Sequence, residues 1–266
     1  MRARGLARAT IGPRSVIARE WLARHPDPAV ATYRDVEVWV RDRGLAASST
    51  RALLVNLRAF YRWLAREGLA EVDPTSLVDR PKVPARLPRP APEREVAWLG
   101  QTACVQMRAL YALMALAGLR CCECSRLDWR DVDLVAGTVI VNGKGDRERL
   151  ISLSGDVVTA LAALRLASGR ISGAVFVGPS GRRLMPWRVS QKVNQAMRAA
   201  GLSSRAHQLR HRCATVALQE ADGDLLAVRD LLGHSSVSTT QIYTACLPER
   251  TAATSRALNF PREEAA

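Results

Sequence analysis

Three of the four histidines in this chain lie near an arginine and a tyrosine in its last quarter. His207 and His211 flank Arg210 in the stretch HQLRH, and His234 precedes Tyr243 in LLGHSSVSTTQIYT. Since His207 and Arg210 are three residues apart, a helix would place both side chains on one face. An imidazole can move a proton near neutral pH, a guanidinium binds anions, and a phenol can act as a nucleophile.

Two further cations stand where the sequence predicts a change of structure: Arg120 follows a glycine at a helix end, and Lys144 lies in a glycine-rich turn. The whole set suits attack on a phosphodiester, because fixed cations stabilise the charge that builds on the phosphate oxygens. A histidine can take the proton of Tyr243, and Lys144 can protonate the departing sugar hydroxyl. The product would be a phosphotyrosyl ester that a second DNA hydroxyl can reverse or redirect. No acidic cluster is spaced for two metal ions, so we expect neither a metal nor another cofactor.

Each of these residues also has an ordinary structural explanation. An arginine at a helix junction is commonly a surface or capping residue, and a lysine in a turn is commonly solvated. His207 and His211 could be packed core histidines. Tyr243 could be a core tyrosine, as we predict from apolar helical patterns for Tyr33, Tyr61 and Tyr111.

Charge and composition restrict the class of partner. The net charge is +14 with a pI of about 10.6, and both halves of the chain are positive. A partner with many negative charges follows, and nucleic acid fits best, although a membrane surface or an acidic protein would also explain the charge. No apolar run could cross a bilayer and no signal peptide is visible, so we expect a cytoplasmic protein without a membrane partner.

Six cysteines are present, three of them in CCEC. Cys121 and Cys124 have the spacing of a zinc or redox pair, but a second pair at matching spacing is missing. We therefore predict reduced thiols packed on a helix.

The first part of the chain reads as helical. Residues 29–44 and 48–68 repeat apolar side chains every three or four positions, and Ser48 or Ser49 is a candidate N-cap. In the second segment we predict that arginines at positions 51, 58, 62 and 66 face outward. Five prolines between residues 80 and 92 exclude a helix and indicate a basic spacer. The predicted organisation is a first domain at 1–80, a linker at 81–92 and a second domain at 93–266.

The second part mixes helices with one hairpin. We predict a long apolar helix at about 101–117 and helical segments at 156–167, 187–201, 207–221 and 224–233. Val139 and Val141 alternate before a tight turn at 143–146, and Leu150 and Ile151 lead out of it. The fold class is thus mainly α with a small antiparallel sheet (α+β), and the first dozen and last six residues should fray.

Four segments in order resemble the tyrosine recombinases of the phage-integrase family. GLRCCECSRLDWRDVDL is similar to the first arginine box, with Arg120 and the supporting acid Glu123, and GKGDRERLISL resembles the hairpin with the catalytic lysine, Lys144. HQLRH is similar to the second box, with His207 and Arg210, beside which His211 is a supporting residue. LLGHSSVSTTQIYT is similar to the third box, with His234 and the nucleophile Tyr243. The departures, Cys121 and Cys122 before Glu123 and Asp222 in place of a helix-ending glycine, leave the chemistry untouched.

The resemblance implies a site-specific DNA recombinase. A helical SAM-like core-DNA-binding domain and the catalytic domain would clamp double-stranded DNA at core recombination sites, and a homo-tetramer would exchange strands through a Holliday junction. A directionality factor is a further possible partner. With no room for an arm-binding domain, we expect an integrase of a phage or mobile element, and the alternative is a chromosome-dimer resolvase.

Two other classes of protein are alternatives to a recombinase. A type IB topoisomerase uses similar tyrosine chemistry but relaxes supercoils without exchanging partners; the helical first domain and the third box argue against it. A non-catalytic DNA-binding regulator is disfavoured because every catalytic position is filled.

Overall fold

The computed structural model of the protein describes residues 8–84, 87–143, 148–222 and 224–233. The chain divides into two compact units, Met1–Ala85 and Arg86–Ala266. In the described ranges ten α-helices accompany one sheet of three antiparallel strands, which confirms the predicted fold class. None of the helices in those ranges is both long enough and apolar enough to span a bilayer.

The first unit is built from three helices: α1 (Arg8–Arg24), α2 (Tyr33–Arg41) and α3 (Ala47–Arg66). A capping box starts α2, since Thr32 Oγ1 accepts from the backbone N–H of Asp35 and the Asp35 carboxylate accepts from the backbone N–H of Thr32. The apolar stripe of α3 buries Leu54 and Leu57. The hydrophobic core of the unit forms where buried side chains of α1, α2 and α3 meet.

Aromatic side chains occupy the centre of that core. Trp21 and Trp39 meet edge to face with ring centroids 5.0 Å apart. The indole N–H of Trp21 donates to the Tyr61 hydroxyl over 2.8 Å, and that hydroxyl donates to the Pro28 carbonyl over 3.1 Å. The polar atoms of Trp21 and Tyr61 therefore keep hydrogen-bond partners although their rings are buried.

Several local predictions for this unit were wrong. The N-cap of α3 is Ala46, so Ser48 and Ser49 lie in the first turn. Residues 8–12, within the dozen expected to fray, are helical as part of α1, whereas residues 1–7 and the last six residues lie outside the described part of the chain. Tyr33 is exposed at the start of α2, not buried in the core. Periodicity identified α3 correctly, but the residue at which its first turn begins depends on the segment before it.

Arg58 also departs from its predicted outward position. Its guanidinium is partly buried and donates to the carbonyl oxygens of Thr75 (2.8 Å) and Val78 (2.7 Å). The segment after α3 thus folds back over the helix and covers this arginine, whereas Arg51, Arg62 and Arg66 are exposed as predicted.

The second unit contains the other helices and the sheet. Its elements are α4 (Glu93–Thr102), α5 (Val105–Ala115), α6 (Cys121–Arg126), β1 (Val132–Asp133), β2 (Thr138–Asn142), β3 (Glu148–Ser152), α7 (Gly155–Ser168), α8 (Pro186–Ala199), α9 (Ala206–Glu220) and α10 (Leu225–Leu232). Helix α5 is buried on nearly every side and packs against α7 and α9.

The helix predicted at about 101–117 corresponds to α5, which is shorter at both ends, and residues 101 and 102 end α4, a helix that was not predicted. The backbone of Cys104 is extended, and α5 starts after it. Arg108 Nη2 donates to the carbonyl oxygen of Gln101 at 3.2 Å, so a carbonyl in the last turn of α4 gains a donor from the next helix.

The strands are in the order β1-β2-β3, all antiparallel. Val139 pairs with Ile151 and Val141 pairs with Arg149, and these four residues lie on one face by strand alternation. Ile151, Val139 and Val141 are buried in the core, while Leu150 on the opposite face is exposed. The hairpin was predicted, but β1 was not, because two residues carry no alternation signal.

Candidate active site

Arg120 stands at the N-terminus of α6, in an extended conformation that turns its backbone toward Glu123. The Glu123 carboxylate accepts from the backbone N–H of Arg120 at 2.8 Å and from its Nη1 at 2.8 Å. Just before it, Gly118 adopts φ +68°, and a Cβ there would lie 2.7 Å from Leu232 Cδ2. The glycine therefore permits both the turn and the approach of α10 to the site.

Helix α9 presents His207 and Arg210. The loop before it is fixed by Glu95 of α4, a buried carboxylate that accepts from the backbone N–H groups of Ser203 and Ser204 at 3.2 and 3.1 Å. Although burial opposes its ionisation, these bonds and those from the serine hydroxyls lower the pKa of Glu95. A carboxylate on α4 therefore sets where α9 starts.

Arg210 is buried, with 2% of its surface exposed. Its Nη1 donates to the Gly118 carbonyl, and its Nη2 donates to the Leu232 carbonyl over 2.9 Å. Arg120 Nη1 reaches the same Leu232 oxygen at 3.4 Å. One carbonyl at the C-terminus of α10 thus binds both arginines, where the helix dipole favours positive charge.

Glu123 is the anionic centre of this cluster. Arg149 of β3 donates to both of its oxygens, over 3.1 and 3.0 Å, and Arg210 Nη1 lies 3.9 Å away. Burial would raise the pKa of Glu123, but the hydrogen bonds from Arg149 and Arg120 and the charges of both arginines hold it below its usual value. Glu123 is therefore ionised at neutral pH.

His207 and His211 are neighbours on α9, with ring centroids 4.2 Å apart and nearly perpendicular planes. Partial burial and the charges of Arg210 and Arg120 lower the pKa of His207. Burial, His207 and Arg210 together lower the pKa of His211 to about 4. Both imidazoles are thus neutral near pH 7, and His207 is the exposed one of the pair.

The predicted site residues divide into two groups. Arg120, Glu123, His207, Arg210 and His211 come together around the N-termini of α6 and α9. Lys144, His234 and Tyr243 lie outside the described residues. Gly143 and Gly233, which directly precede Lys144 and His234, belong to the described part.

The described groups form an anion-binding arrangement. Arg120 is the accessible guanidinium, with 36% of its side chain exposed, and His207 is exposed on the neighbouring helix. No cluster of three or more potential metal ligands occurs among the residues that the structure describes. Cys121, Cys122 and Cys124 are free thiols on α6.

Sequence reasoning did not identify Arg149 or Glu95. A signal for Arg149 was present: alternation with Ile151 places it on the inward face of its strand, where a charged residue requires a partner. Glu95 carries no comparable signal, because its partners are backbone groups of a loop about a hundred residues later.

Known proteins resemble this chain in sequence and in structure. Residues 93–250 match the model of the phage integrase family. A tyrosine recombinase XerC of Azotobacter vinelandii is 39% identical over 212 residues, which cover 76% of this chain and 71% of that protein. The solved integrase of mycobacterium phage Brujita is 29% identical and covers 99% of this chain and 91% of that chain, with a TM-score of 0.51.

The fold is shared more widely. A lambda integrase dimer bound to a COC′ core site superposes with a TM-score of 0.71 at 18% identity, covering 90% of this chain and 89% of that chain. The family match spans more than half of the sequence and includes every box singled out by its chemistry. This chain belongs to the phage integrase family, the tyrosine recombinases, and is a site-specific DNA strand-transferring recombinase.

Proposed function

We propose that this protein cuts and rejoins duplex DNA with Tyr243 as its nucleophile. The Tyr243 oxygen attacks the scissile phosphorus while the bond from phosphorus to the 5′ oxygen breaks, which leaves a 3′-phosphotyrosyl ester. The 5′ oxygen leaves with a proton from Lys144. A 5′ hydroxyl from another strand then attacks the ester, releases the phenol and rejoins the DNA.

The observation that carries this proposal is the pair of guanidiniums of Arg120 and Arg210. Both are held by the Leu232 carbonyl at the end of α10, so little reorganisation is needed as negative charge develops on the phosphate. His207, neutral at pH 7, can accept the phenol proton or donate to a phosphate oxygen. We assign His234 to the same phosphate, and Glu123 and His211 to supporting roles.

We also propose the wider assembly that the resemblance implies. Residues 1–80 are the core-DNA-binding domain, residues 81–92 are the linker, and residues 93–266 form the catalytic domain. Four copies on two core sites exchange strands through a Holliday junction, and a directionality factor would act on that assembly. The net charge of +14 supports a duplex DNA partner, and affinity should fall steeply with salt because phosphate contacts dominate.

For the biological role, we propose chromosome-dimer resolution ahead of integration. Sequence reasoning favoured an integrase, but the curated relative that matches at 39% identity is named XerC. Integration stays a second candidate because a phage integrase is 29% identical across nearly the whole chain.

Covalent capture of DNA tests both the proposed cleavage by Tyr243 and the proposed biological role. DNA attached to the tagged protein is recovered from cells under denaturing conditions and sequenced. Dimer resolution requires one dominant chromosomal site without an inserted element, whereas integration requires the junctions of an element. A nicked suicide substrate with the recovered site should then trap the wild type, and Tyr243→Phe should bind without trapping.

Tyr111→Phe is the matched control, because Tyr111 is a buried core tyrosine of the second unit; it should trap DNA like the wild type. Trapping by Tyr243→Phe would remove Tyr243 from its role. Relaxation of a plasmid that lacks the recovered site would favour the topoisomerase alternative instead.

A further inference from the structure

Arg149 is an arginine of the cluster whose guanidinium is already engaged. Its Nη1 and Nη2 donate to the two oxygens of Glu123, at 3.1 and 3.0 Å, and its Nε donates to the Leu231 carbonyl at 3.2 Å. Each of its three nitrogens therefore has a protein acceptor. Its side chain is 12% exposed, between the 3% of Arg210 and the 36% of Arg120.

The guanidinium is also covered from one side. Gly233 packs so closely on it that a Cβ on that glycine would lie 2.7 Å from Nη1 and 3.0 Å from Cζ. A phosphate has little room to approach Arg149, whereas Arg120 is open to solvent. Because all three of its nitrogens are engaged by protein acceptors, Arg149 acts on the reaction through other residues and not by touching the substrate.

Those residues are Glu123 and the two arginines assigned to the phosphate. Arg149 occupies both Glu123 oxygens, and Arg210 Nη1 stays 3.9 Å from the nearer one, beyond hydrogen-bond distance. Without Arg149, the buried carboxylate would have to be neutralised by Arg120 and Arg210 alone. Their positive charge would then be directed at Glu123, not at a phosphate.

Arg149 also links three segments that are distant in sequence. It lies on β3, on the hairpin that contains Lys144, and it contacts α6 through Glu123 and α10 through Leu231. The next carbonyl of α10, that of Leu232, holds Arg210 and Arg120. A shift of α10 relative to β3 would therefore move the acceptor that orients both guanidiniums.

We propose that Arg149 is a positioning residue for strand cleavage: it neutralises Glu123 and docks the end of α10, which leaves Arg120 and Arg210 directed at the scissile phosphate. The proposal rests on the proposed cleavage function, and wild-type trapping on the suicide substrate tests that function separately. If the wild type does not trap DNA, the proposed function fails before Arg149 is tested.

The decisive variant is Arg149→Met, which keeps an unbranched chain in place of the aliphatic part of arginine and removes the charged guanidinium. We expect its single-turnover cleavage rate to fall about 100-fold, as for a small misplacement of catalytic groups, with DNA affinity close to that of the wild type. Arg149→Lys keeps the charge but loses the forked contact, so its rate should lie between the two.

A charge rescue separates positioning from a merely structural role. In the double variant Arg149→Met with Glu123→Gln, the uncancelled carboxylate is gone, so cleavage should recover roughly tenfold relative to Arg149→Met. If the rate of the double variant falls further, Arg149 does not act by neutralising Glu123 and the proposal is overturned.

Arg183→Met is the matched control. Arg183 is also a partly buried arginine that binds a carboxylate, Asp128 at 2.5 Å, and two carbonyl oxygens, those of Ser125 and Leu127. It should lose thermal stability like Arg149→Met but keep its cleavage rate below its melting temperature. Equal loss of rate in both variants, or none in Arg149→Met, would refute the positioning role.

Discussion

Gly118 should be hard to replace, because two separate costs of substitution meet at this glycine. Its φ of +68° is a conformation in which a residue with a Cβ is strained by about 1–2 kcal/mol. In Gly118→Ala the new methyl group would also lie 2.7 Å from Leu232 Cδ2 and 3.1 Å from Cys213 Sγ. Both neighbours are buried, so making room should cost a further 1–3 kcal/mol or so, as for overpacking elsewhere.

Gly169→Ala provides the matched control for that estimate. Gly169 ends α7 with a φ of +63°, nearly that of Gly118, but no described atom lies within 4 Å of its added Cβ. It therefore carries the backbone cost without the crowding. Urea denaturation followed by circular dichroism should show both variants destabilised, with Gly118→Ala lower in unfolding free energy by about 1–3 kcal/mol.

The crowding should also affect catalysis. Leu232 carries the carbonyl that holds Arg210 and Arg120, so displacing it moves both guanidiniums. Gly118→Ala should lose single-turnover cleavage at a temperature where it is folded, and Gly169→Ala should not. Equal unfolding free energies and equal cleavage rates for the two variants would refute the reasoning from close packing.

Three further predictions concern stability. The pKa of His211 falls from 6.5 to about 4 on folding, so its contribution to the unfolding free energy is present above pH 6.5 and is lost as the pH falls toward 4. Between pH 7.5 and 5 the unfolding free energy of the wild type should therefore fall by about 1–2 kcal/mol more than that of His211→Gln. Equal losses would exclude this effect of burial. Asp222 has a φ of +47°, so Asp222→Gly should raise the unfolding free energy by about 0.5–1 kcal/mol, and a lower melting temperature would contradict that. Glu95→Ala should lower the unfolding free energy by about 2–4 kcal/mol, because it leaves the backbone N–H groups of the loop before α9 without acceptors. Glu95→Gln keeps one oxygen and should lower it less; the reverse order in urea denaturation would contradict this role of Glu95.

Local patterns determined most of the secondary structure. Apolar repeats of three and four residues located α2, α3 and α7 to α10, and alternation around Val139 and Val141 located the hairpin, because these periods depend only on neighbouring residues. Local patterns did not predict α4, and they placed the start of α5 four residues too early. The order of the boxes was also sufficient for the family, which the comparisons confirmed.

Tertiary structure decided how the site is held. Arg120 meets the carbonyl of Leu232 across 112 positions of sequence, and Glu95 meets Ser204 across 109. No pattern of neighbouring residues encodes such contacts, since they exist only after α4, α6, α9 and α10 have packed. The sequence by itself determined which side chains could do the chemistry. Packing alone decided that Arg149 neutralises Glu123 while Arg120 stays accessible to a substrate. The reason is that the burial and the partners of a charged group, and not its residue type, determine what it can bind.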